Sequence, residues 1–523
     1  MTSRQRWTLL ATVIGSGAVF LDGTIVNVAL KRIGEELPAS IIGVFEGQNY
    51  VQSGFLAVLA ALLILSGALS DRYGRRRIFT IGLAGFAVTS ALCGLAPTLE
   101  WLVVFRLLQG AAGALLIPGS IALITHAFDG PERGRAFGIW AASTSALVLT
   151  GPLIGGILVD TIGWRVAFLI NVPVLIVALW ATLGHVEESR DMEATGRFDW
   201  LGALTAGLAV GGLTVGLIRG QARDWQDGAA WIAFAAGVIA LIAFPLMMAR
   251  RPNPLVPLGL FRSSPFTTIN LATFFIYSGL YVTLLYQALV LQGVLGYTAL
   301  AAGAVALPFG ILLVVLSTRV GTAAGRLGSR RFLVAGPIIS ACGVAWYARL
   351  PAYSAPWLAT MADPSTLIPP TSTIVDVFPA VTLLGLGISL VVAPLTTTLM
   401  ASVPGRYSGL ASALNNSISR VGSPLMGALI FIAVSAVFYS TLQSRLPGLA
   451  SIPILAQPLN PLPADATPEA IAATMQASID AFHLASLLNA SLFVIGAAVS
   501  FVGLRDRPPP ADVDATTPSA SAP

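Results

Sequence analysis

The chain has 523 residues, of which 55% are hydrophobic and only 10% charged, against roughly a quarter charged in soluble domains. That balance excludes an ordinary soluble enzyme or binding module. The 52 glycines and 33 prolines suit membrane helices, where neighbouring helices, side chains and water re-satisfy freed backbone groups. The formal charge of +5 is spread over short segments with no basic stripe interleaved with aromatics, so no nucleic-acid partner is expected.

The first apolar run, 8–30, is longer than a signal-peptide core, carries Asp22 and lacks a small-x-small cleavage site, so it is expected to be a retained span. Windows of about 19 residues predict fourteen spans, at 8–30, 44–66, 78–96, 101–124, 136–159, 165–184, 199–218, 229–249, 266–291, 299–318, 332–349, 374–402, 407–440 and 484–504. The last but one is long enough to bend or protrude. The expected fold is an all-α integral membrane protein.

With the N-terminus inside, Lys and Arg favour the inside segments by roughly three to one, which places both termini in the cytoplasm. The predicted units are a six-helix bundle at 1–184, a polar linker with two inserted helices at 185–262, a second six-helix bundle at 263–504, and a disordered cytoplasmic tail at 505–523.

Asp22, in the middle third of span 1, costs roughly 2.5–3.5 kcal/mol to insert and must face protein or water. It is read either as a proton-coupling carboxylate or as a structural aspartate bonded to a neighbouring helix. Asn27, further along the same span, is a candidate for the substrate cavity. Glu46 opens span 2 near the outer surface and is a second candidate for proton coupling.

Between spans 2 and 3 lies a polar hinge running from Gly67 through Asp71, Arg72, Gly74, Arg75 and Arg76 to Arg77. The pattern returns downstream: Gly67 matches Gly321, Arg72 matches Arg326, Gly74 matches Gly328, and Arg76 and Arg77 match Arg330 and Arg331. One element reused in one register implies a duplicated membrane bundle, as in secondary transporters. Asp71 has no counterpart, since Gly325 stands there, and is read as a cytoplasmic latch or as a solvated loop acid.

In span 4, Arg106, Gln109, Gly110 and Gly113 share one helix face. Arg106 is read as a coupling residue or as an interhelical structural contact, and Gln109 as a candidate for the cavity. In span 5, Gly151, Pro152, Gly155 and Gly156 form a surface without side chains, where helices of the two halves could seal and reopen or merely pack.

Span 9 offers Asn270, Tyr281, Tyr286 and Gln287, an aromatic, amide-bearing surface suited to bulky amphiphiles. Asn416 and Arg420, i and i+4 in span 13, form a polar stripe expected to face the interior. Within the long outer segment 441–482, Thr467-Pro468-Glu469 reads as the start of a short surface helix leading into the last span.

Cys93 and Cys342 lie inside apolar runs, and His126, His185 and His483 have no ligand spacing, so no metal or cofactor is expected. With Lys31 the single lysine, no Walker-type loop is present, and neither are Gly-x-Ser-x-Gly or metalloprotease motifs. The chain is therefore not expected to be an enzyme.

These elements resemble the major facilitator superfamily. Gly67 to Arg77 looks like its loop between spans 2 and 3, Arg106 to Gly113 its span-4 motif, and Gly151 to Gly156 the span-5 motif of antiporters. Leu21 to Leu30 resembles the span-1 motif of the multidrug branch. Arg197-Phe198-Asp199-Trp200-Leu201-Gly202, opening the inserted pair, is similar to the fourteen-span drug:proton antiporters. Lys31 stands where that branch usually has proline, and Tyr50 where tryptophan is usual.

The resemblance implies proton-driven efflux of amphiphilic compounds, cations among them, by alternating access in the cytoplasmic membrane of a bacterium, by a monomer. It also implies that Asp71 and its arginines lock the cytoplasmic side and that Asp22 and Arg106 serve coupling. A dedicated exporter of one metabolite, siderophore or lipid precursor would share the fold. A non-transporting receptor would not need the moving-part motifs.

Overall fold

The computed structural model describes the backbone of all residues except 129, 191–198, 223–224, 252–253, 255, 404–407, 447–457, 460–466 and 506–523. Side chains at 45, 64, 68, 71, 130, 131, 133, 134, 141, 142, 145, 149, 221, 222, 318, 408 and 409 also lie outside the description. The expected linker residues 191–198, much of 441–482 and nearly all of the tail thus fall outside it.

The described chain is helical, with no strand. The helices are α1 (Ser3–Glu36), α2 (Val44–Asn49), α3 (Phe55–Tyr73), α4 (Arg75–Gly94), α5 (Leu99–Ala127), α6 (Gly130–Thr161), α7 (Arg165–Leu169), α8 (Asn171–His185) and α9 (Trp200–Ala222). They continue as α10 (Gly228–Arg250), α11 (Ser264–Leu289), α12 (Ala299–Ala304), α13 (Leu307–Leu327), α14 (Ser329–Trp346), α15 (Phe378–Ala401), α16 (Ser408–Arg445) and α17 (Pro468–Gly503). Among the described residues, 12 helices are long and apolar enough to cross a membrane. The segments expected as spans 2 and 5 are helical too, in α2–α3 and α6, with side chains only partly described.

Threonines start several of these helices. Thr98, Thr298 and Thr467 each accept a hydrogen bond from the amide three residues on, at 3.4, 3.2 and 3.3 Å, satisfying an otherwise orphaned donor. Thr467 begins a helix as its motif predicts, but the helix runs unbroken to Gly503 instead of ending as a short surface piece. The helix holds no proline after Pro468 and no glycine before Gly496, so nothing interrupts it.

The helices form two groups, whose buried side chains merge into one apolar cluster where they meet. α1, α3, α4, α5, α6 and α8 contact one another, and so do α11 and α13–α17. The groups meet where α3 packs on α16, α6 on α12 and α13, and α1 on α11. The inserted α9 and α10 pack tightly because Gly212 and Gly237 bring their backbones together, leaving a Cβ on Gly212 only 2.8 Å from the Gly237 amide. α9 lies against both α3 and α16, beside the seam between the groups.

The matched hinges share a backbone device. Gly74 and Gly328, joining α3 to α4 and α13 to α14, have φ of 107° and 88°, a region L side chains rarely adopt.

Candidate functional site

The polar centre of the first helix group is built on Asp22 and Arg106. Both side chains are fully buried and form an ion pair. Arg106 is further held by its Nη1 donating to Gln109 Oε1 at 2.7 Å and its Nε donating to the Val51 carbonyl at 2.9 Å. Val51 lies in the widened π-type turn Tyr50–Gly54, a distortion that often marks functional positions. The guanidinium also stacks over Phe55, 4.0 Å from the ring centroid.

Asp22 Oδ1 accepts from Gln109 Nε2 at 3.1 Å and from Asn171 Nδ2 at 3.3 Å. Gln109 reaches Ser90 Oγ at 2.7 Å. Each charge alone would cost roughly 2.5–3.5 kcal/mol at this depth; pairing, the polar groups of Gln109, Asn171 and Val51, and the Phe55 ring offset that cost. The network ties α1, α4, α5 and α8 into one unit, and proton gain at Asp22 would leave Arg106 without its counter-charge.

Gln109, expected in the cavity, sits in this network with no exposure. Sequence reading did not select Asn171, Ser90 or Val51. The carbonyl of Val51 had no side-chain signal at all, whereas Asn171, an amide near the start of span 6, was available to a closer reading of polar residues in apolar runs.

Glu46 is buried at one end of the seam, one helical turn before Tyr50. It borders a cavity of about 20 Å³ lined also by Asn49, Ser53, Tyr286 and Gly427, room for about one water. Tyr286 donates to the Gly427 carbonyl at 3.1 Å. The inserted helix α9 adds Ile218 to this cavity, and its Val215 carbonyl accepts from Tyr50 at 3.4 Å.

Other expected cavity residues divide. Asn270 and Gln287 are buried within the second helix group, Asn270 accepting from Asn415 at 3.1 Å and Gln287 from the Tyr347 hydroxyl at 2.9 Å. Asn27, Tyr281, Asn416 and Arg420 lie on α1, α11 and α16, helices through which the two groups meet. Asn27 Oδ1 is buried without a partner, and Arg420 lies over the Phe20 ring of the opposite group at 5.4 Å.

The span-5 glycines contact both sides. Gly151 abuts Thr24, and Gly155 abuts Val28 and Ile25, all in α1. Gly156 abuts the backbone of Ala299 and Leu300 in α12, while Gly303 abuts the carbonyl of Pro152. Asp160, at the end of α6, accepts from the amides of Leu300 and Ala299 at 2.7 and 3.3 Å. The two groups are thus joined here backbone to backbone, with Asp160 as a polar clasp that sequence reading missed.

At the other end, the side chain of Asp71 lies outside the described residues. A would-be Cβ on Gly67 meets only Pro118, at 3.7 Å. The hinge is anchored by Glu188, whose carboxylate accepts from the amides of Arg76 and Arg77, both at 3.1 Å, and by the Ser189 carbonyl, which accepts from the Arg75 amide at 2.9 Å. Among the described residues no cluster of three or more His, Cys, Asp or Glu could hold a metal.

The sequence profile described as the Major Facilitator Superfamily matches residues 12–428. The chain is 34% identical to the "Tetracenomycin C resistance and export protein" of Streptomyces glaucescens, over 82% of this chain and 77% of that one. It is 32% identical to the "Multidrug efflux pump LfrA" of Mycolicibacterium smegmatis, over 84% and 82%. Among solved structures, a bacterial homologue of the human lysosomal transporter Spinster, crystallised inward-facing and unoccupied, superposes with a TM-score of 0.63 at 17% identity, over 96% of this chain and 97% of that one; at that identity the likeness concerns the fold.

Proposed function

Because the chain belongs to the Major Facilitator Superfamily, we propose that it is a proton-coupled efflux transporter exporting amphiphilic drugs or toxic compounds by alternating access. It is a multi-pass membrane transporter rather than an enzyme. In this reading it works as a monomer in the inner membrane of a bacterium, with both termini cytoplasmic. The bundles 1–184 and 263–504 rock about the seam while 185–262 supplies the inserted pair.

The observation that carries the reading is the buried polar network around Asp22. Protonation there cancels one charge of a buried pair and weakens the packing of four helices at once, which biases a two-state bundle toward its other arrangement. Arg106 holds the carboxylate in place and becomes free to move when Asp22 is neutral. Glu46, at the outer end of the seam, is a second proton-accepting position. Asp71 with Arg72, Arg75 and Arg76 latches the cytoplasmic side, and the Gly151–Gly156 surface closes the outer one.

The test is transport in proteoliposomes under an imposed pH gradient, with ethidium and fluorescein as probes. Movement that collapses with a protonophore supports the reading; a folded protein that moves neither probe counts against it. A dedicated exporter is the second reading, since the tetracenomycin C relative is named for one compound whereas LfrA is named for many drugs. A panel of unrelated compounds separates the two by the number transported.

A further inference from the structure

Among the described residues, five with charged side chains are buried: Asp22, Glu46, Arg106, Asp199 and Arg420. Asp22 and Arg106 pair with each other. Asp199 pairs with Arg251, and Glu46 borders the small cavity with Asn49 and Tyr286. Arg420 has no ion pair or hydrogen bond among the described residues, and its Nε is buried without an acceptor. Its contact across the seam is with the face of Phe20. A guanidinium stacked on an aromatic ring keeps its N–H groups in its own plane, where they remain available to a planar, charged acceptor.

The surroundings of Arg420 suit a ligand rather than a missing protein partner. On α1, Phe20, Gly23 and Asn27 fall at i, i+3 and i+7, one face of the helix. A Cβ added at Gly23 would meet nothing within 4 Å, so this face borders open space. Asn27 supplies an unpartnered acceptor beside it. From α11, which packs on α16, come Tyr277 and Tyr281, ring centroids 6.2 Å apart. Asn416, one turn before Arg420, has its amide turned back to the Ser412 carbonyl at 3.0 Å and does not neutralise the guanidinium. Glu46 belongs to the separate small cavity bordered by Ser423 and Gly427, further along α16.

We propose that Arg420 is the anion-binding group of a substrate site in the seam, and that the substrates are aromatic amphiphiles carrying a carboxylate or phenolate. The ionised oxygens take the free edge of the guanidinium. The aromatic frame lies against Phe20, Tyr277 and Tyr281, and a hydroxyl or N–H of the ligand donates to Asn27 Oδ1. A lipophilic cation in the same space would face an uncompensated positive charge. This inference rests on the export reading for its meaning as a substrate site, but the anion site itself is testable without transport.

The experiment is fluorescence anisotropy on the full chain in phosphatidylcholine nanodiscs, with fluorescein and rhodamine 123, which share a tricyclic aromatic frame and differ in charge. Fluorescein is expected to bind at least about tenfold tighter than rhodamine 123, the scale of one charge-assisted hydrogen bond. Arg420→Gln should weaken fluorescein by at least about tenfold on the same scale, leave rhodamine 123 unweakened, and keep the thermal midpoint; Arg420→Lys should retain most of the fluorescein affinity. Equal affinity of Arg420→Gln and the parent for fluorescein overturns the site, as does equal loss of both dyes in a folded variant. Displacement of fluorescein by phosphatidylglycerol in the disc overturns the aromatic acid as occupant in favour of a lipid headgroup. Fluorescein binding that depends on Arg420 without pH-driven transport removes the export reading and leaves the anion site standing. Transport with an unchanged fluorescein Kd in Arg420→Gln does the reverse.

Discussion

Arg76 and Arg330 make the same bond in the two halves of the chain. Arg76 Nη2 donates to the Leu183 carbonyl near the end of α8 at 2.5 Å, and Arg330 Nη2 to the Phe501 carbonyl near the end of α17 at 2.8 Å. Each arginine is the second residue of its helix, after a glycine with positive φ. The repeated hinge thus ties the third long helix of each half to the last one of that half. Among the described residues, only the first half adds a carboxylate, that of Glu188, to cap the following helix.

The hinge glycines should be intolerant. Gly74→Ala and Gly328→Ala each force an L residue into a strained backbone region, at a cost of about 1–3 kcal/mol, and a Cβ on Gly74 would also press on the Glu188 carboxylate at 2.7 Å. Each variant is expected to unfold at lower temperature in detergent. The double variant should lose the sum, because the sites share no partner. Gly207→Ala, where an added Cβ meets nothing within 4 Å, is the control and should be neutral or slightly stabilising.

Asp22→Asn should abolish pH-driven transport while the protein remains folded. Because it strands a buried guanidinium, it should also destabilise, by an amount on the order of 3–5 kcal/mol. Arg106→Gln in the same chain should recover much of that stability but not the coupling. Thermal unfolding of the single and double variants checks the first part and proteoliposome transport the second. Full coupling in Asp22→Asn would remove the carboxylate from the mechanism.

The contact between α6 and α12 predicts a conformational phenotype. A side chain at Gly156 would fall 2.7 Å from the Leu300 Cα, main chain that cannot step aside. Gly156→Val should therefore hold the two groups apart at this end and lose most of the transport rate. Spin labels at the exposed Ile162 and Tyr353 should report a longer distance than in the parent protein; an unchanged distance distribution would mean that the contact does not close this end. Asp160→Ala should shift the same distance in the same direction, by loss of its two amide bonds.

The inserted pair has its own clasp. Asp199 accepts from the Gly202 amide at 2.8 Å, starting α9, and also pairs with Arg251 at the far end of α10. Asp199→Asn keeps an acceptor for the cap and should cost no more than about 1 kcal/mol, since Arg251 is partly exposed. Asp199→Ala loses the cap as well and should cost roughly 1–2 kcal/mol. Thermal midpoints in a common detergent order the three proteins.

Much of the fold was legible because it is written in local chemistry. Apolar runs of membrane length, the arginine hinge and its echo, and Thr467 ahead of Pro468 each carry their reason within a few residues. The site was legible only in part. Asp22 and Arg106 stood out because a charge inside an apolar run must find a partner. That the partner of each was the other, joined by Gln109 and Asn171, depended on how α1, α5 and α8 face one another. Gln287 and Asn270 looked like cavity residues by type, yet their helix turns them toward Tyr347 and Asn415, inside the second group.

By itself, then, the sequence determined that this is a duplicated helical membrane protein of the major facilitator kind, since hydrophobic length and repeated glycine and arginine positions are properties of the chain read in order. The tertiary structure alone decided which polar groups share an environment. Partner choice is set by the rotation and approach of helices far apart in sequence, and no spacing records it. The same physics that buries Asp22 against Arg106 leaves Arg420 buried against Phe20 with no counter-charge among the described residues, a difference invisible until the two halves are packed together.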